Sequence, residues 1–271
     1  MKKNLLTWVF YISSQVFTFA QSGDFGMGAR STSVGNTSIT YGDEWALFNN
    51  IGALAQYNSP SVFTSFQNKY SVSSFTSMAI GAVYPILGGV SGIGIFRFGD
   101  DLYNEHKINF GFSNQFGIVS LGLNLNYYQI NIEGAGGRKT FMIDFGGMAK
   151  ITDQLFFGAH VSNLNQAQRS KVTHELIPTI LKCGLSYRPN PELFVNAEVQ
   201  KEIDQQTVLK LGIEHNVIDR FWIRTGIYNQ PFKCSFGLGF YARILKTDYS
   251  FGANPNLGGI HEISITYLFK N

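Results

Sequence analysis

The chain has 271 residues, a formal net charge of +3 and only 14 % charged residues. Soluble domains carry roughly 25 % charged residues, so this composition, with 15 % aromatic residues and 29 glycines, indicates a surface that does not face water everywhere. Lysine and arginine are scattered, without the basic runs that follow a nucleic-acid backbone. We therefore expect no nucleic-acid partner.

The first twenty residues are typical of a secretory signal peptide. Lys2 and Lys3 precede an apolar stretch over 5–19, and the small residues Thr18 and Ala20 stand three positions and one position before the predicted cleavage site. This pattern predicts an exported protein that is cleaved after Ala20. An N-terminal transmembrane anchor is the alternative, although the apolar run is short for a spanning helix and is interrupted by serine and glutamine.

Residues 21–58 form a second region that lacks strand-like alternation. Asp43 and Glu44 precede the segment Trp45-Ala46-Leu47-Phe48, and carboxylates are favoured near the unpaired N–H groups that begin a helix. We therefore expect both carboxylates at the start of a short helix. A disordered periplasmic tail is the alternative, but this segment is apolar for a solvated tail.

The same region carries a motif. Its residues are Gly28-Ala29-Arg30-Ser31, Gly35, Asp43-Glu44, Trp45 and Phe48-Asn49-Asn50-Ile51-Gly52-Ala53-Leu54. The motif resembles that of the FadL-like superfamily of outer-membrane barrels, in particular the PorV/PorQ branch of Bacteroidota, except that Ile51 stands where the family usually has proline. The resemblance implies a barrel whose N-terminal segment folds into the lumen as a plug, with a turn at 49–52 leading to the first strand.

From residue 59 onward the sequence alternates between apolar and polar positions. Val119 to Tyr128 is the clearest example, with Leu121, Leu123 and Leu125 on one face and glycine or asparagine on the other, as expected for a strand with one apolar face. About 14 such segments of roughly 10 residues follow one another, a length that crosses a bilayer when tilted. The predicted strands are 60–67, 76–85, 88–98, 106–115, 117–130, 139–150, 154–162, 178–188, 192–200, 207–215, 219–228, 232–243, 247–252 and 260–270.

The predicted links alternate in length. Short turns fall at 151–153, 188–191, 216–218 and 244–246, and longer links fall at 99–105, 131–138 and 163–177. Short periplasmic turns and longer outer loops are typical of outer-membrane barrels. We therefore predict an all-β protein with three parts: a signal peptide at 1–20, an N-terminal luminal plug at 21–58 and a transmembrane antiparallel β-barrel at 59–271. A soluble β-sandwich is the alternative, but its outer face would carry more lysine and glutamate.

Four charged residues on neighbouring predicted strands share the inward parity: Glu198, Lys210, Glu214 and Arg224. In a hairpin that turns near Asp204, Glu198 and Lys210 would be direct cross-strand partners. The simplest interpretation is a structural ladder of salt bridges that lines the lumen. The alternative is a polar constriction that contacts a transported molecule.

Cysteines, histidines and short motifs give no sign of catalysis. Cys183 and Cys234 fall on strands about four apart, too distant to form a disulfide, and we expect two free thiols. The five histidines, His106, His160, His174, His215 and His261, lack metal-ligand spacing, and no nucleotide-binding or nucleophile motif is present. We expect no metal, no cofactor and no enzymatic activity, with a rim-sited membrane hydrolase as a remote alternative.

Two functions follow from the resemblance. The first is a plugged barrel of PorV/PorQ type that docks secretion-system or surface proteins and serves type IX secretion. The alternative is a FadL-like passive transporter whose ligand is a hydrophobic small molecule. In both cases the barrel contacts outer-membrane lipid. The short predicted outer loops favour the first function slightly.

Overall fold

The computed structural model describes residues 25–86, 88–134, 136–169, 176–203 and 205–269. The predicted signal peptide, its cleavage site after Ala20 and His174 lie outside the described residues. Within the described ranges, no helix has the length and hydropathy that a membrane-crossing helix needs.

The described residues form fourteen antiparallel strands that close into a single barrel, because β1 pairs with β14 and every other strand pairs with its neighbours in sequence. The predicted fold is therefore confirmed. The strands are β1 (Ser61–Lys69), β2 (Thr76–Ile86), β3 (Gly89–Gly99), β4 (Tyr103–Phe116), β5 (Val119–Ile132), β6 (Gly136–Lys150), β7 (Leu155–Ser162), β8 (Ile180–Asn190), β9 (Leu193–Glu202), β10 (Val208–Ile218), β11 (Phe221–Asn229), β12 (Phe232–Tyr241), β13 (Leu245–Asn254) and β14 (Gly258–Leu268).

Two of the three predicted long links are wrong. Strand β3 ends at Gly99 and β4 begins at Tyr103, while β5 ends at Ile132 and β6 begins at Gly136. The β4–β5 backbone pairing extends to Asn104 and Asn131. Because both side chains are polar, the apolar alternation that predicts the strands stops before these residues. Of these three links, the one between β7 and β8, at 163–179, is long.

We call the end of the barrel where β1 begins and β14 ends the terminal end, and the opposite end the distal end.

The outside of the barrel is apolar and the inside is polar. On β5, the external residues Leu121, Leu123 and Leu125 are 39 to 51 % exposed, whereas the internal residues Asn124 and Asn126 are at most 2 % exposed. This arrangement is the reverse of that in a soluble protein and is the one found in transmembrane barrels. The β-sandwich alternative is therefore excluded.

The N-terminal segment lies inside the lumen. It contains the helices α1 (Ala29–Ser33) and α2 (Ala46–Asn49) and the 3₁₀ helix η1 (Ile51–Gln56). Helix α1 packs against β11 to β14, and η1 packs against β3 to β7. A second 3₁₀ helix, η2 (Ser73–Phe75), lies in the link between β1 and β2 at the distal end. We call residues 25–58 the plug.

Two local expectations for the plug are wrong. Asp43 and Glu44 do not lie in the first turn of α2; their carboxylates bond to Arg30 and to Lys246 on the wall instead. The predicted turn at 49–52 is also only partly formed, because Asn50 is extended but Ile51 already begins η1. A proline at position 51 is not needed, since the Asn50 side chain accepts a hydrogen bond from the Gly52 N–H at 3.1 Å and caps the 3₁₀ helix.

Candidate functional site: the plugged lumen

One side of the lumen, lined by β9 to β14, is charged, and Arg30 of the plug lies at its centre. Arg30 donates two hydrogen bonds to Glu214, from Nε at 2.9 Å and from Nη2 at 2.5 Å, and a third from Nη1 to Asp43 at 3.0 Å. Arg224 also donates to Glu214 from Nε at 2.5 Å, and to Asp248 from Nη1 at 2.7 Å. Glu214 therefore lies between two guanidinium groups, one from the plug and one from the wall.

The structure pairs the other two ladder residues directly. Glu198 and Lys210 are opposite one another in the β9–β10 register, and their Oε1 and Nζ atoms are 3.0 Å apart. Both also contact the plug. Glu198 Oε2 accepts a hydrogen bond from the Ile39 N–H at 3.2 Å, and Lys210 Nζ donates to the Asn36 carbonyl at 3.4 Å. All four ladder residues are buried; Glu198, Lys210 and Glu214 bond to the plug, and Arg224 bonds to Glu214.

Sequence reasoning missed Glu262 as an anchor, and it named Glu44 without its partners on the wall. Glu262 on β14 accepts hydrogen bonds from the Gly28 N–H at 2.8 Å and from the Thr32 hydroxyl at 2.5 Å. Glu44 of the plug accepts from Lys246 at 3.0 Å and from Thr266 at 2.6 Å. The inward parity that Glu262 shares with Thr266 is the sequence signal that could have identified it.

Burial also shifts the pKa of one carboxyl group of the plug, that of Asp43. Removal from water raises the pKa of the Asp43 carboxyl to about 6, although the neighbouring Arg30 opposes this shift. Asp43 is therefore ionised at neutral pH and gains a proton as the pH falls through about 6.

The other motif residues hold the plug together and fit it to the wall. The Trp45 ring packs edge-on against Phe63 of β1, with ring centroids 4.7 Å apart, and lies 6.0 Å from Phe48. Asn49 exchanges two hydrogen bonds with the backbone of Met27. The plug backbone at Gly52 lies directly against the wall, so close that a Cβ atom at this position would lie 2.4 Å from Gly146 backbone atoms.

Many wall glycines face the plug for the same reason. A Cβ atom on Gly122 would lie 2.5 Å from the Ile51 carbonyl oxygen, and one on Gly212 would lie 2.2 Å from the Val34 carbonyl oxygen. Because glycine has no side chain, it permits this close approach of two backbones.

The opposite side of the lumen, lined by β1 to β6, carries a large apolar cluster together with buried polar and charged side chains such as Glu105, Lys107, Asn124 and Asp144; we call it the apolar side for its cluster. The apolar plug and wall residues on this side form one buried cluster. At the distal end the cluster borders a small pocket. Its lining combines the apolar residues Phe25, Phe48, Met142, Ile177 and Pro178 with the polar and charged residues Asn49, Lys107, Asp144, Ser162, Asn163 and Lys182. The pocket measures about 10 Å³, which is room for about one water molecule. The lumen is therefore closed in this conformation.

The described ends of the link between β7 and β8, 163–169 and 176–179, border the pocket at the distal end of the barrel. Arg169 Nη2 donates a hydrogen bond to the buried Glu105 of β4 at 2.9 Å. The Ile177 N–H donates to the Ala167 carbonyl at 2.9 Å, and Asn163 Nδ2 donates to the Ile177 carbonyl at 2.7 Å. These contacts hold the two ends of the link against one another and against the barrel mouth.

The remaining candidate residues do not assemble into a reactive site. His160 is buried in the lumen, whereas His106, His215 and His261 face outward on separate strands. In the part of the chain that the structure describes, no group of three or more metal-binding side chains occurs. Cys183 and Cys234 are free thiols, as predicted.

No known protein family matches the sequence, and no curated protein matches it either. Solved structures do match the fold. The P. putida toluene transporter TodX is 12 % identical with a TM-score of 0.72, covering 92 % of this chain and 100 % of the transporter. The CymD monoaromatic hydrocarbon channel is 13 % identical with a TM-score of 0.70, covering 93 % of this chain and 100 % of the channel. At these identities the similarity establishes a shared fold. The predicted resemblance to FadL-like barrels therefore rests on the shared fold alone, and no sequence match supports the PorV/PorQ branch.

Proposed function

We propose that this protein is a non-enzymatic outer-membrane channel for small hydrophobic molecules. The observation that supports this proposal most directly is the division of the lumen into a side fixed by ion pairs and a side that carries a buried apolar cluster. The cluster extends from the distal pocket into the barrel, beside buried polar groups such as Lys107 and Asp144. It consists of Phe25, Met27, Trp45, Phe48, Phe63, Phe96, Phe98, Tyr128, Ile130, Met142, Met148 and Ile177, among others. The fold shared with the two hydrocarbon channels supports the same proposal.

The division also suggests how such a channel works. Ion pairs fix the plug to β10 and β13, so the plug stays in place on the charged side. On the apolar side, Phe25 and Ile177 close a pocket that holds about one water molecule, and an apolar ligand has to displace them to enter.

The proposal can be tested at Met142, which lines the pocket from β6. A Met142→Trp substitution fills the entry without adding charge, and we expect it to reduce uptake of toluene into vesicles that contain the purified protein by at least severalfold. The matched control is Phe141→Trp, because Phe141 precedes Met142 but faces outward and is 69 % exposed. Equal uptake by the wild type, by Met142→Trp and by vesicles without protein would contradict the proposal.

A second function, the docking of secretion or surface proteins, is favoured by the tight seal of the plug. A barrel whose plug is fixed by buried ion pairs is a stable platform whether or not its lumen opens. Purification from detergent-solubilised outer membrane would test this function. Under the docking hypothesis, defined secretion-system or surface proteins accompany the barrel in fixed ratio, and the toluene uptake of the wild type does not exceed that of empty vesicles.

A further inference from the structure

The outer face of β3 to β6 carries a row of polar and cationic side chains near the distal end. Arg97, His106, Gln129 and Lys139 are consecutive cross-strand partners, and each lies within three residues of the distal end of its strand. Arg97 and Lys139 are exposed, and the two residues between them are partly exposed. Neighbouring strands are about 4.8 Å apart, so the row extends over roughly 14 Å. We call it the cationic row.

The cationic row lies at the boundary of the apolar belt. The next external row toward the membrane is Ile95, Ile108, Tyr127 and Phe141, again consecutive cross-strand partners. Its Tyr127 and Phe141 rings pack edge to face with centroids 5.6 Å apart. Aromatic side chains of this kind mark the level of the lipid headgroups in transmembrane barrels. The cationic row is therefore placed where headgroups, rather than acyl chains, surround the barrel.

On the distal side of the row, uncharged amides complete the surface. Asn131 Nδ2 donates to Asn104 Oδ1 at 2.8 Å, and Gln129 Nε2 donates to Asn131 Oδ1 at 3.1 Å. The nearby carboxylate of Asp100 is engaged elsewhere, with the Ser74 hydroxyl at 2.5 Å and the Leu102 N–H at 2.9 Å. Among the described residues, no carboxylate lies within ion-pair distance of Arg97 or Lys139. The two cations consequently lack a counter-charge from the protein.

An apolar groove borders the Arg97 end of the row. It measures about 290 Å³ and is lined by Phe66, Ser73, Thr76, Met78, Arg97 and Gly99. Phe66 and Met78 are external residues of β1 and β2 that are 43 and 47 % exposed. A chain that descends from a headgroup at Arg97 would lie along these two side chains and then along the apolar belt.

The row is specific to this part of the barrel. Around much of the remaining circumference, external positions equally close to the distal end are apolar: Leu181 on β8, Leu209 on β10, Phe232 on β12 and Phe251 on β13. Lys201 on β9 is an isolated cation whose Nζ donates to the Gln205 carbonyl.

We propose that the cationic row and its groove form a binding site for an anionic, phosphate-bearing membrane lipid. Arg97 and Lys139 would contact the phosphate, with the guanidinium of Arg97 able to make two parallel hydrogen bonds to it. His106 and Gln129 would donate from between them, and the acyl chain would occupy the groove of Phe66 and Met78. The site lies on the outside of the barrel and does not depend on transport through the lumen.

The test uses the full chain in uncharged detergent and counts retained lipid by native mass spectrometry. We expect the wild type to retain phosphatidylglycerol in preference to phosphatidylcholine. The double variant R97Q/K139Q should lose roughly 30-fold in affinity for phosphatidylglycerol, since each cation at an anionic surface contributes about a fivefold factor. The conservative variant R97K/K139R should retain most of the binding, and heat-modifiable gel migration checks that each variant folds.

The matched control is K201Q/R220Q, which removes one lysine and one arginine from exposed positions outside the row. It should bind phosphatidylglycerol like the wild type. An equal loss in both double variants, or no loss in R97Q/K139Q, would overturn the proposal. Competition by inorganic phosphate at concentrations equal to those of the lipid would also overturn it, because the site would then be a free-anion site without a contribution from the acyl chain.

Discussion

Glu214 is the residue on which the charged side of the lumen depends most. It is fully buried and accepts hydrogen bonds from Arg30 of the plug and from Arg224 of the wall. Two guanidinium groups would repel one another at this separation, and the carboxylate between them compensates both charges. Removing one member of a buried ion pair is costly chiefly because it leaves the other charge uncompensated.

We therefore expect Glu214→Gln to destabilise the folded barrel by about 3–5 kcal/mol. Glutamine keeps the shape of the side chain but leaves two buried arginines without their shared carboxylate. Urea unfolding in lipid vesicles measures the change. Asp219→Asn serves as the control because Asp219 lies in an exposed turn with its side chain 90 % exposed, and it should behave like the wild type. A Glu214 variant as stable as the Asp219 variant would show that the network contributes nothing.

The alternation of inward and outward residues along the strands predicts the Glu198–Lys210 pair of this network but not the Glu214–Arg30 pair, for a physical reason. Glu198 and Lys210 are close in sequence, so the strand period and one turn are enough to place them opposite one another. The partner of Glu214 is Arg30, 184 residues away, and no local rule relates the two. Sequence reasoning named both residues but could not join them, because the position of the plug depends on packing across the whole lumen.

At the scale of elements, the alternation of apolar and polar residues is sufficient to predict the strands. Successive residues of a strand point alternately to the lipid, which requires apolar side chains, and to the plug, which permits polar ones and glycine. The strand ends are less predictable, since the ladder continues through polar residues such as Asn104 and Asn131. In the sequence, the glycines alternate with apolar residues and are grouped with the polar residues of the inner face. The structure explains them by the close approach of the plug backbone.

Gly226 on β11 tests this explanation. A Cβ atom there would lie 2.2 Å from the Gly35 nitrogen and from the Val34 carbonyl carbon, so Gly226→Ala should displace the plug even though alanine is normally better tolerated than glycine in a strand. We expect trypsin to cleave after Arg30 several times faster in this variant. Gly252→Ala is the matched control, because its nearest neighbour would be 3.5 Å away. Equal cleavage rates in the two variants would argue against close packing of the plug on β11.

At the scale of the whole molecule, strand number and plug are complementary. Eight-stranded barrels are filled by their own side chains, and barrels of sixteen or more strands enclose an aqueous channel. Fourteen strands leave an intermediate lumen, and here the plug occupies it and leaves a pocket of about 10 Å³ at the distal end. The plug thus narrows a lumen that the wall strands alone would leave wide.

This arrangement predicts the electrical behaviour of the protein. The wild type should show little ion conductance in planar bilayers, because the plug occupies the lumen and is held there by ion pairs and hydrogen bonds to the wall. Deletion of 25–56 should open a stable pore, since it removes the material between the two sides and leaves the wall strands intact. The polar and charged wall residues that now bind the plug, including Glu198, Glu214 and Glu262, would then line a water-filled channel.

The deletion removes buried partners of several charges, so a second variant keeps the prediction testable if the truncated chain does not fold. Arg30→Ala combined with Lys246→Ala removes two ion-pair anchors of the plug, Arg30–Glu214 and Lys246–Glu44, and keeps its apolar packing on β1 to β6. We expect this variant to open intermittently, with brief conductance steps that the wild type lacks, because a loosened plug moves away from the charged wall only part of the time. A wild type that conducts freely, with the same conductance in both variants, would show that the plug does not close the lumen and that hydrophobic selectivity has to be set by another part of the barrel.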